Sequence, residues 1–135
     1  ICACLVGSEM CIRDRLDIAD DGDLEASRQI IRQMYANREA FLLLLTKSQG
    51  SRFENCLDEV VDISEQQYRR LCDMVTNATG RPRVDDYMTH WMAHIMVDTF
   101  VHLFLHETEE RVALKHVDAL TMYLVRGWMG IMTES

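Results

Sequence analysis

The feature that most constrains this chain is how rarely anything in it interrupts a helix. Its 135 residues contain one proline, Pro82, and six glycines. Within Leu24–Met132, residues that stop helices come together at Ser48-Gln49-Gly50 and at Gly80-Arg81-Pro82. Elsewhere apolar residues recur at helical spacing, so the sequence predicts an all-α fold of about five helices.

Capping residues and breakers define the predicted helices. An acidic cluster lies at the start of the first helix and consists of Asp20, Asp21, Asp23 and Glu25. Asn37 is expected to cap the second helix and Thr108 the last. Ser51 and Glu54 have the spacing of a capping box, which predicts that they open the third helix. The four leucines from 42 to 45 predict that the second helix is central and buried on most sides. The helices are predicted at about Leu24–Ala36, Arg38–Lys47, Ser51–Ala78, Val84–His106 and Glu109–Met132.

Charge and hydropathy exclude some function classes. A net charge of −8 argues against a surface that binds a phosphate backbone, because that surface requires clustered Lys and Arg. The longest apolar region, Met88–Leu105, is interrupted by His90, His94, Asp98 and His102, which argues against a membrane-spanning helix. The sequence therefore predicts a soluble cytoplasmic protein without a membrane partner.

The first fifteen residues of the chain do not look like natural protein sequence. The stretch from Cys4 to Arg15 can be reverse-translated into a string that resembles the transposon adapter used in sequencing-library preparation. We therefore interpret residues 1–15 as adapter-derived and residues 16–135 as a fragment that forms one domain. Without residues 1–15 two of the five cysteines remain, Cys56 and Cys72, and they form no CxxC pair.

The last two predicted helices are long, joined by a short link, and expected to pack as an antiparallel hairpin. Each carries more than one apolar stripe, whereas one stripe is enough to face a core. A second stripe on adjacent helices predicts a homodimer with a four-helix interface, although burial of both stripes within a monomer is the alternative. The predicted interface residues are Met96, Phe100, Leu103, Leu120, Leu124, Val125, Trp128, Met129 and Met132.

Three stretches carry a family resemblance. Residues 35–45 read Tyr-Ala-Asn-Arg-Glu-Ala-Phe-Leu-Leu-Leu-Leu, residues 48–54 read Ser-Gln-Gly-Ser-Arg-Phe-Glu, and residues 124–132 read Leu-Val-Arg-Gly-Trp-Met-Gly-Ile-Met. The segment from about Leu24 to Met132 carries these stretches in the same order and with a similar residue character as one known domain. It resembles the C-terminal ligand-binding and dimerisation domain of TetR-family transcriptional repressors. The family's N-terminal helix-turn-helix is missing here and would precede residue 24.

The resemblance implies a one-component transcriptional regulator. A small-molecule effector would enter a pocket in this domain and change the spacing of two DNA-reading domains, so DNA is contacted only through the missing N-terminal part. No cofactor and no catalytic activity are expected. An ordinary core role is the alternative for each expected pocket residue, and these residues are Tyr35, Leu45, Phe53, Val60, Tyr68, Met88, Trp91, His94 and Ile95.

A ladder of polar residues on the fourth helix supports a second hypothesis. Its members, four apart without a break, are His90, His94, Asp98, His102 and His106. Neighbours at this spacing share a helix face, so the ladder predicts a divalent-metal site in a stand-alone helical bundle. A polar, solvated helix side is the alternative. No phosphate-binding loop or nucleophile motif accompanies it, which argues against an enzyme.

Overall fold

The computed structural model describes residues 21–134, and the predicted all-α architecture is confirmed there. These residues form five helices and no strand. The adapter interpretation of residues 1–15 lies outside the described residues. The helices are α1 (Asp21–Ala36), α2 (Arg38–Lys47), α3 (Cys56–Thr79), α4 (Asp86–His106) and α5 (Glu110–Glu134).

The bundle is built from two well-packed helix pairs. The first helix, α1, packs along α5, and α3 packs along α4; both contacts are more extensive than the contact of α4 with α5. The order of contacts along α1 shows that it runs antiparallel to α5, because Arg28 bonds Asp118 while Tyr35 bonds Glu107. The two long helices α4 and α5 form the antiparallel hairpin that the sequence predicts, joined by residues 107–109.

Helix ends follow local chemistry at the start of α4 and the end of α3. Gly80 has a φ of 71°, in the left-handed region, and its N–H donates to the Thr76 carbonyl at 2.8 Å. Glycine adopts this conformation without the strain that a Cβ brings, so the predicted stop is confirmed. The side chain of Asp85 then caps α4 by accepting from the Met88 N–H at 2.9 Å.

The predicted capping box at the start of α3 was wrong. The helix begins at Cys56, and residues 51–55 form turns before it. The Glu54 carboxylate accepts from the Gly50 N–H at 2.7 Å, and the Ser51 hydroxyl accepts from the Phe53 N–H at 3.1 Å. Both side chains therefore stabilise the connection between α2 and α3 instead of the first turn of α3.

Two further capping predictions also need correction. The Asn37 amide donates to the Gln33 carbonyl at 2.9 Å and makes no capping bond to α2, so it serves the end of α1. At α5, the Glu109 carbonyl accepts the Val112 N–H at 3.1 Å, which puts Glu109 in the capping position predicted for Thr108.

The second helix is peripheral, contrary to the expectation that its leucines make it central. No residue of α2 is buried, and Leu43 is 52 % exposed. Phe41, Leu42 and Leu45 of α2 are half-buried against the core. A run of leucines shows that a segment can be buried, whereas the neighbouring helices decide whether it is.

The core consists of two clusters at the two ends of the bundle. The larger one joins α1, α3, α4 and α5 around Ile31, Phe104 and Val117. The smaller one joins α3, α4 and the end of α5 around Cys72 and Trp128. The space between these clusters holds the candidate functional site.

Candidate functional site

A small cavity lies where α1 and α3 face each other across the bundle. These two helices make little direct contact, whereas α4 and α5 close the base between them. The cavity volume is about 60 Å³, and all four helices line it. At about 15 Å³ for each water-sized occupant, it has room for about four. The lining residues are Asp23, Ser27, Ser64, Gln67, Tyr68, Leu71, Met96, Phe100, Thr121, Leu124, Val125, Trp128 and Met129.

Buried polar side chains interrupt the apolar stripes of three helices at this cavity. Asp23 and Ser27 occupy successive turns of the α1 stripe that continues with Ile31. Ser64 lies on the inner stripe of α3, and Thr121 on that of α5. All four polar side chains are buried, and Ser27 has no exposed area at all. Helical spacing therefore brings them to one place although they are far apart in sequence.

Two of the buried polar groups at the cavity lack a partner within the described chain. The Ser27 hydroxyl and the Trp128 indole Nε1 are both inaccessible to solvent and make no hydrogen bond there. By contrast, the Ser64 hydroxyl donates to the Val60 carbonyl at 2.8 Å. A buried polar group without a partner lowers the free energy of unfolding.

Aromatic packing fixes the indole of Trp128, one of the residues that line the cavity. The Tyr68 ring meets the Trp128 ring edge to face, with centroids 5.1 Å apart and planes at 75°. This arrangement is favourable for aromatic pairs and holds the Trp128 ring in one orientation. The position of the Nε1 donor is therefore preorganised.

The described residues that line the cavity include one carboxylate, Asp23, and none of them is Lys, Arg or His. The polar remainder consists of hydroxyl, amide and indole groups.

Ion pairs hold the helices that flank the cavity. On the α1 side, Arg28 makes a two-point pair with Asp118 of α5. On the α3 side, Glu65 accepts from His90 at 2.7 Å and from Arg69 at 2.5 Å. The hydrogen bond from His90, followed by that from Arg69, lowers the pKa of the Glu65 carboxyl below its ordinary value.

A second set of salt bridges joins the start of α4 to the end of α3. Arg83 contacts Asp73 at 2.5 Å and Asp86 at 2.8 Å, and Arg69 reaches Asp86 at 2.8 Å. The hydrogen bond from Arg83 is the main cause that lowers the pKa of Asp86. Ion pairs therefore join α3 to the beginning of α4 at two places, through Glu65 with His90 and through Asp73 with Arg83.

The nine residues predicted as pocket lining do not come together. Tyr68 alone among them lines the four-helix cavity. The Tyr35 hydroxyl donates to the Glu107 carbonyl at 2.5 Å, and its ring packs edge-on against Phe104. Burial raises the pKa of Tyr35. Tyr35 therefore serves the opposite end of the bundle.

The other predicted pocket residues lie in three places. Phe53 borders an open apolar groove of about 530 Å³ beside α2, which also includes Leu43 and Cys56. None of the lining side chains of that groove is a buried polar group without a partner. Leu45, Val60 and Ile95 pack against the larger core cluster. Met88 and His94 are half-buried on α4, and Trp91 is 43 % exposed.

Most of the residues predicted for a dimer interface are part of the chain's own core, which corrects that assignment. The buried ones are Met96, Phe100, Leu103, Leu124, Trp128 and Met132. Leu120, Val125 and Met129 are half-buried. The reason is that α1 and α3 already cover the inner faces of α4 and α5. The outer faces of this hairpin instead expose Tyr87, Trp91, Leu105 and Tyr123.

The polar ladder of α4 forms pairs and not a ligand cluster. His90 and His94 meet with ring centroids 4.6 Å apart, and His102 stacks on His106 at 4.0 Å. Asp98 is exposed. Within residues 21–134, no group of three or more His, Cys, Asp or Glu side chains is placed to hold a metal ion.

Sequence reasoning missed the most important cavity residues. The sequence predicts Asp23 only as part of the acidic start of a helix, and it predicts no site role for Ser27 or Thr121. The available signal was a polar residue on an apolar helical stripe, at Ser27 four residues before Ile31 and at Thr121 four after Val117. Such positions mark buried polar groups, which need partners.

Comparisons with known proteins provide no relative for this chain. No family model, curated protein or solved structure matches it. Among the helices of residues 21–134, none combines the length and apolar character that crossing a membrane requires. Function is therefore inferred from the cavity and from the family resemblance of the sequence.

Proposed function

We propose that this chain is the effector-sensing domain of a TetR-type one-component transcriptional regulator in the cytoplasm. The observation that carries the proposal is the cavity between four helices, where Ser27 and Trp128 are buried without partners in the described chain. A concave, mostly apolar site with a few convergent polar groups is the usual form of a small-molecule site.

The position of the cavity favours a regulatory role. Asp23 and Ser27 lie in the first two turns of α1, the helix that the family resemblance places next to the DNA-reading domain. A ligand that contacts both α1 and α3 changes the spacing of helices that otherwise make little contact. Such a ligand shifts DNA affinity only if it binds one helix arrangement more tightly than the other. DNA itself would be bound by the helix-turn-helix that the resemblance implies.

The proposal assigns binding, not catalysis, to the cavity. Ser27 is its most buried hydroxyl, but among the described lining residues none is a histidine, lysine or cysteine that could activate a serine nucleophile. We therefore expect the ligand to leave the domain chemically unchanged.

We further propose that the regulator is a homodimer that uses the outer side of the α4–α5 hairpin. Tyr87, Trp91 and Leu105 share one side of α4, because their spacings of 4 and 14 residues correspond to whole turns. Tyr123 is 75 % exposed on α5. Exposed aromatic side chains in one region are typical of interfaces.

Tryptophan fluorescence provides a direct test of ligand binding. The chain has two tryptophans, so Trp91→Phe leaves Trp128, in the cavity wall, as the sole reporter. A library of small metabolites is screened for compounds that change Trp128 emission and raise the melting temperature. We expect Ser27→Leu, which fills the cavity, to abolish both effects, while Ile63→Ala on the exposed side of α3 preserves them. A screen without such a compound, or binding that survives Ser27→Leu, would falsify the sensing role.

A further inference from the structure

We infer that α4 pairs antiparallel with the α4 of a second copy of this chain, so that His94 of each copy faces Asp98 of the other. This inference rests on the proposed homodimer and specifies how its two subunits meet. Three observations carry it: the scarcity of charged residues on α4, a heptad spacing on its outer side, and the different residue character of its two halves.

Charged residues are scarce on α4 although one side of this helix is exposed. Among its 21 residues only Asp86 and Asp98 are Asp, Glu, Lys or Arg. Arg83 and Arg69 both bond Asp86. Asp98, by contrast, is exposed and makes no salt bridge in the described part of the chain. Because the solvated side of a helix is normally charged, whereas the core of an interface is depleted of charge, the outer side of α4 fits a protein partner.

Six residues on the outer side of α4 have the spacing of a coiled-coil seam. They recur at intervals of four, three, four, three and four residues, which is the pattern of positions a and d in a heptad. None of the six is buried, and the eight buried residues of α4 lie on its other side, toward the rest of the bundle. Such a seam predicts a second helix packed along it. The seam consists of Tyr87, Trp91, His94, Asp98, Val101 and Leu105.

The two halves of this seam favour an antiparallel partner. The first half carries the aromatic side chains of Tyr87 and Trp91, and the second half carries the smaller side chains of Val101 and Leu105. A parallel partner would place each aromatic ring opposite the same ring of the other copy. An antiparallel partner instead places Tyr87 against the partner's Leu105. It likewise places Trp91 against the partner's Val101, so large side chains meet smaller ones and the layers interdigitate.

The polar residues of the seam match in the same register. The helix Asp86–His106 has its midpoint at Met96, so His94 comes just before the centre and Asp98 just after it. A two-fold axis at this level overlaps the two helices completely and creates two His94–Asp98 pairs between the copies. An imidazole N–H donates to a carboxylate, so each pair is complementary. A slide of one turn that set the two Asp98 carboxylates against each other would lose both pairs, and polar residues in a seam specify the register in this way.

Three double substitutions at His94 and Asp98 test this arrangement. His94→Glu with Asp98→Lys should associate at least as tightly as wild type, because two pairs of opposite charges then face each other. His94→Glu with Asp98→Glu should weaken self-association about tenfold or more, and so should His94→Lys with Asp98→Lys, because like charges then face each other twice. Sedimentation velocity over a concentration series measures the association of the full chain, and circular dichroism checks that each variant keeps its helices.

Controls separate the facing pairs from the overall charge. Of the two like-charged variants, one is more negative than the wild-type net charge of −8 and the other is less negative, yet both should associate more weakly. Asp58→Lys with Asp62→Lys is the matched control on α3, where two exposed carboxylates have the same spacing of four residues. This variant should associate like wild type.

The outcomes separate this arrangement from the homodimer itself. If His94→Glu with Asp98→Lys weakens a dimeric chain as much as the like-charged variants do, His94 does not face Asp98 and the arrangement is overturned. The same conclusion follows if none of the three double variants changes the association of a dimeric chain. The proposed homodimer stands in both cases. A wild-type chain that is monomeric at every concentration overturns both the arrangement and the homodimer, and the sensing role is tested separately through Trp128.

Discussion

Arg28 of α1 and Asp118 of α5 form a two-point ion pair, with Nε–Oδ1 and Nη2–Oδ2 distances both 2.8 Å. Ninety residues separate the two positions in sequence. Arg28 follows the cavity residue Ser27, and Asp118 lies one turn before the cavity residue Thr121. The pair therefore sets the alignment of two helices that line the cavity.

The geometry of this pair, and not only its charge, should matter. Arg28→Lys keeps the positive charge but cannot make two parallel bonds to one carboxylate. We expect a lower melting temperature for Arg28→Lys, with a smaller difference from wild type in high salt because both groups are about a third exposed. Arg32→Lys is the matched control, since Arg32 makes a single more exposed bond to Glu25. Equal effects of the two substitutions would contradict a special role for the two-point geometry.

Removal of the Ser27 hydroxyl should stabilise the ligand-free protein. Its oxygen is buried without a partner in the described chain, and Ser27→Ala removes that unsatisfied group. We expect a gain of about 1 kcal/mol in the free energy of unfolding, measured by urea denaturation. Ser64→Ala is the control from the same cavity, and it should destabilise because its hydroxyl donates to the Val60 carbonyl. A loss of stability in Ser27→Ala would show that the hydroxyl has a partner.

The Glu65 carboxylate should make the free energy of unfolding depend on pH. Its pKa in the folded protein is lowered by His90 and Arg69 from an ordinary value of 4.5. Because this pKa is lowered, the contribution of Glu65 to the free energy of unfolding is fully present above pH 4.5. It is lost as the pH falls through the pKa of the folded state. Glu65→Gln should therefore lower the urea midpoint at pH 7, and its difference from wild type should narrow below pH 4.5. The exposed Glu59→Gln on the same helix is the control, and a pH-independent difference for Glu65→Gln would refute the assignment.

The sequence predicted helix ends best where the responsible residues are neighbours. The stop at Gly80 required only the glycine and the nearby proline, and it was confirmed. The capping box was wrong because Ser51 and Glu54 have two local uses, and here they bond within a turn. Local spacing does not distinguish these two uses, because both join partners within a few residues.

The cavity was less predictable because it depends on which helices remain apart. Tyr68, which the sequence predicts as a pocket residue, lines the cavity. Ser27 and Thr121 are brought to the same cavity only through the packing of α1 on α5. The prediction that α2 is buried was wrong for the same reason, because its four leucines do not indicate which helices would cover them. Likewise, Met96 and Trp128 were predicted to be buried by a second subunit, whereas α1 and α3 of the same chain bury them.

The proposed dimer can be tested on the outer side of α4. Trp91→Asp places a charge among the exposed apolar residues and should weaken self-association about thirtyfold or more, as expected for an aromatic interface anchor. Sedimentation velocity over a concentration series measures the change. Ile63→Asp on α3 is the matched control, because Ile63 is 52 % exposed but lies outside the hairpin. A monomeric wild-type chain, or equal weakening by both variants, would rule out this interface.

Two glycines should respond in opposite directions to the same substitution, because their backbone conformations differ. An added Cβ would meet nothing within 4 Å at either Gly80 or Gly127, so contacts do not decide the outcome. Gly80 has a φ of 71°, where a side chain costs about 1 kcal/mol, so Gly80→Ala should lower the free energy of unfolding by about that amount. Gly127 lies inside α5, where alanine is preferred, so Gly127→Ala should raise it by about 0.5–1 kcal/mol. Urea denaturation of both variants gives the two signs, and a stabilising Gly80→Ala would show that α3 does not end in a left-handed residue.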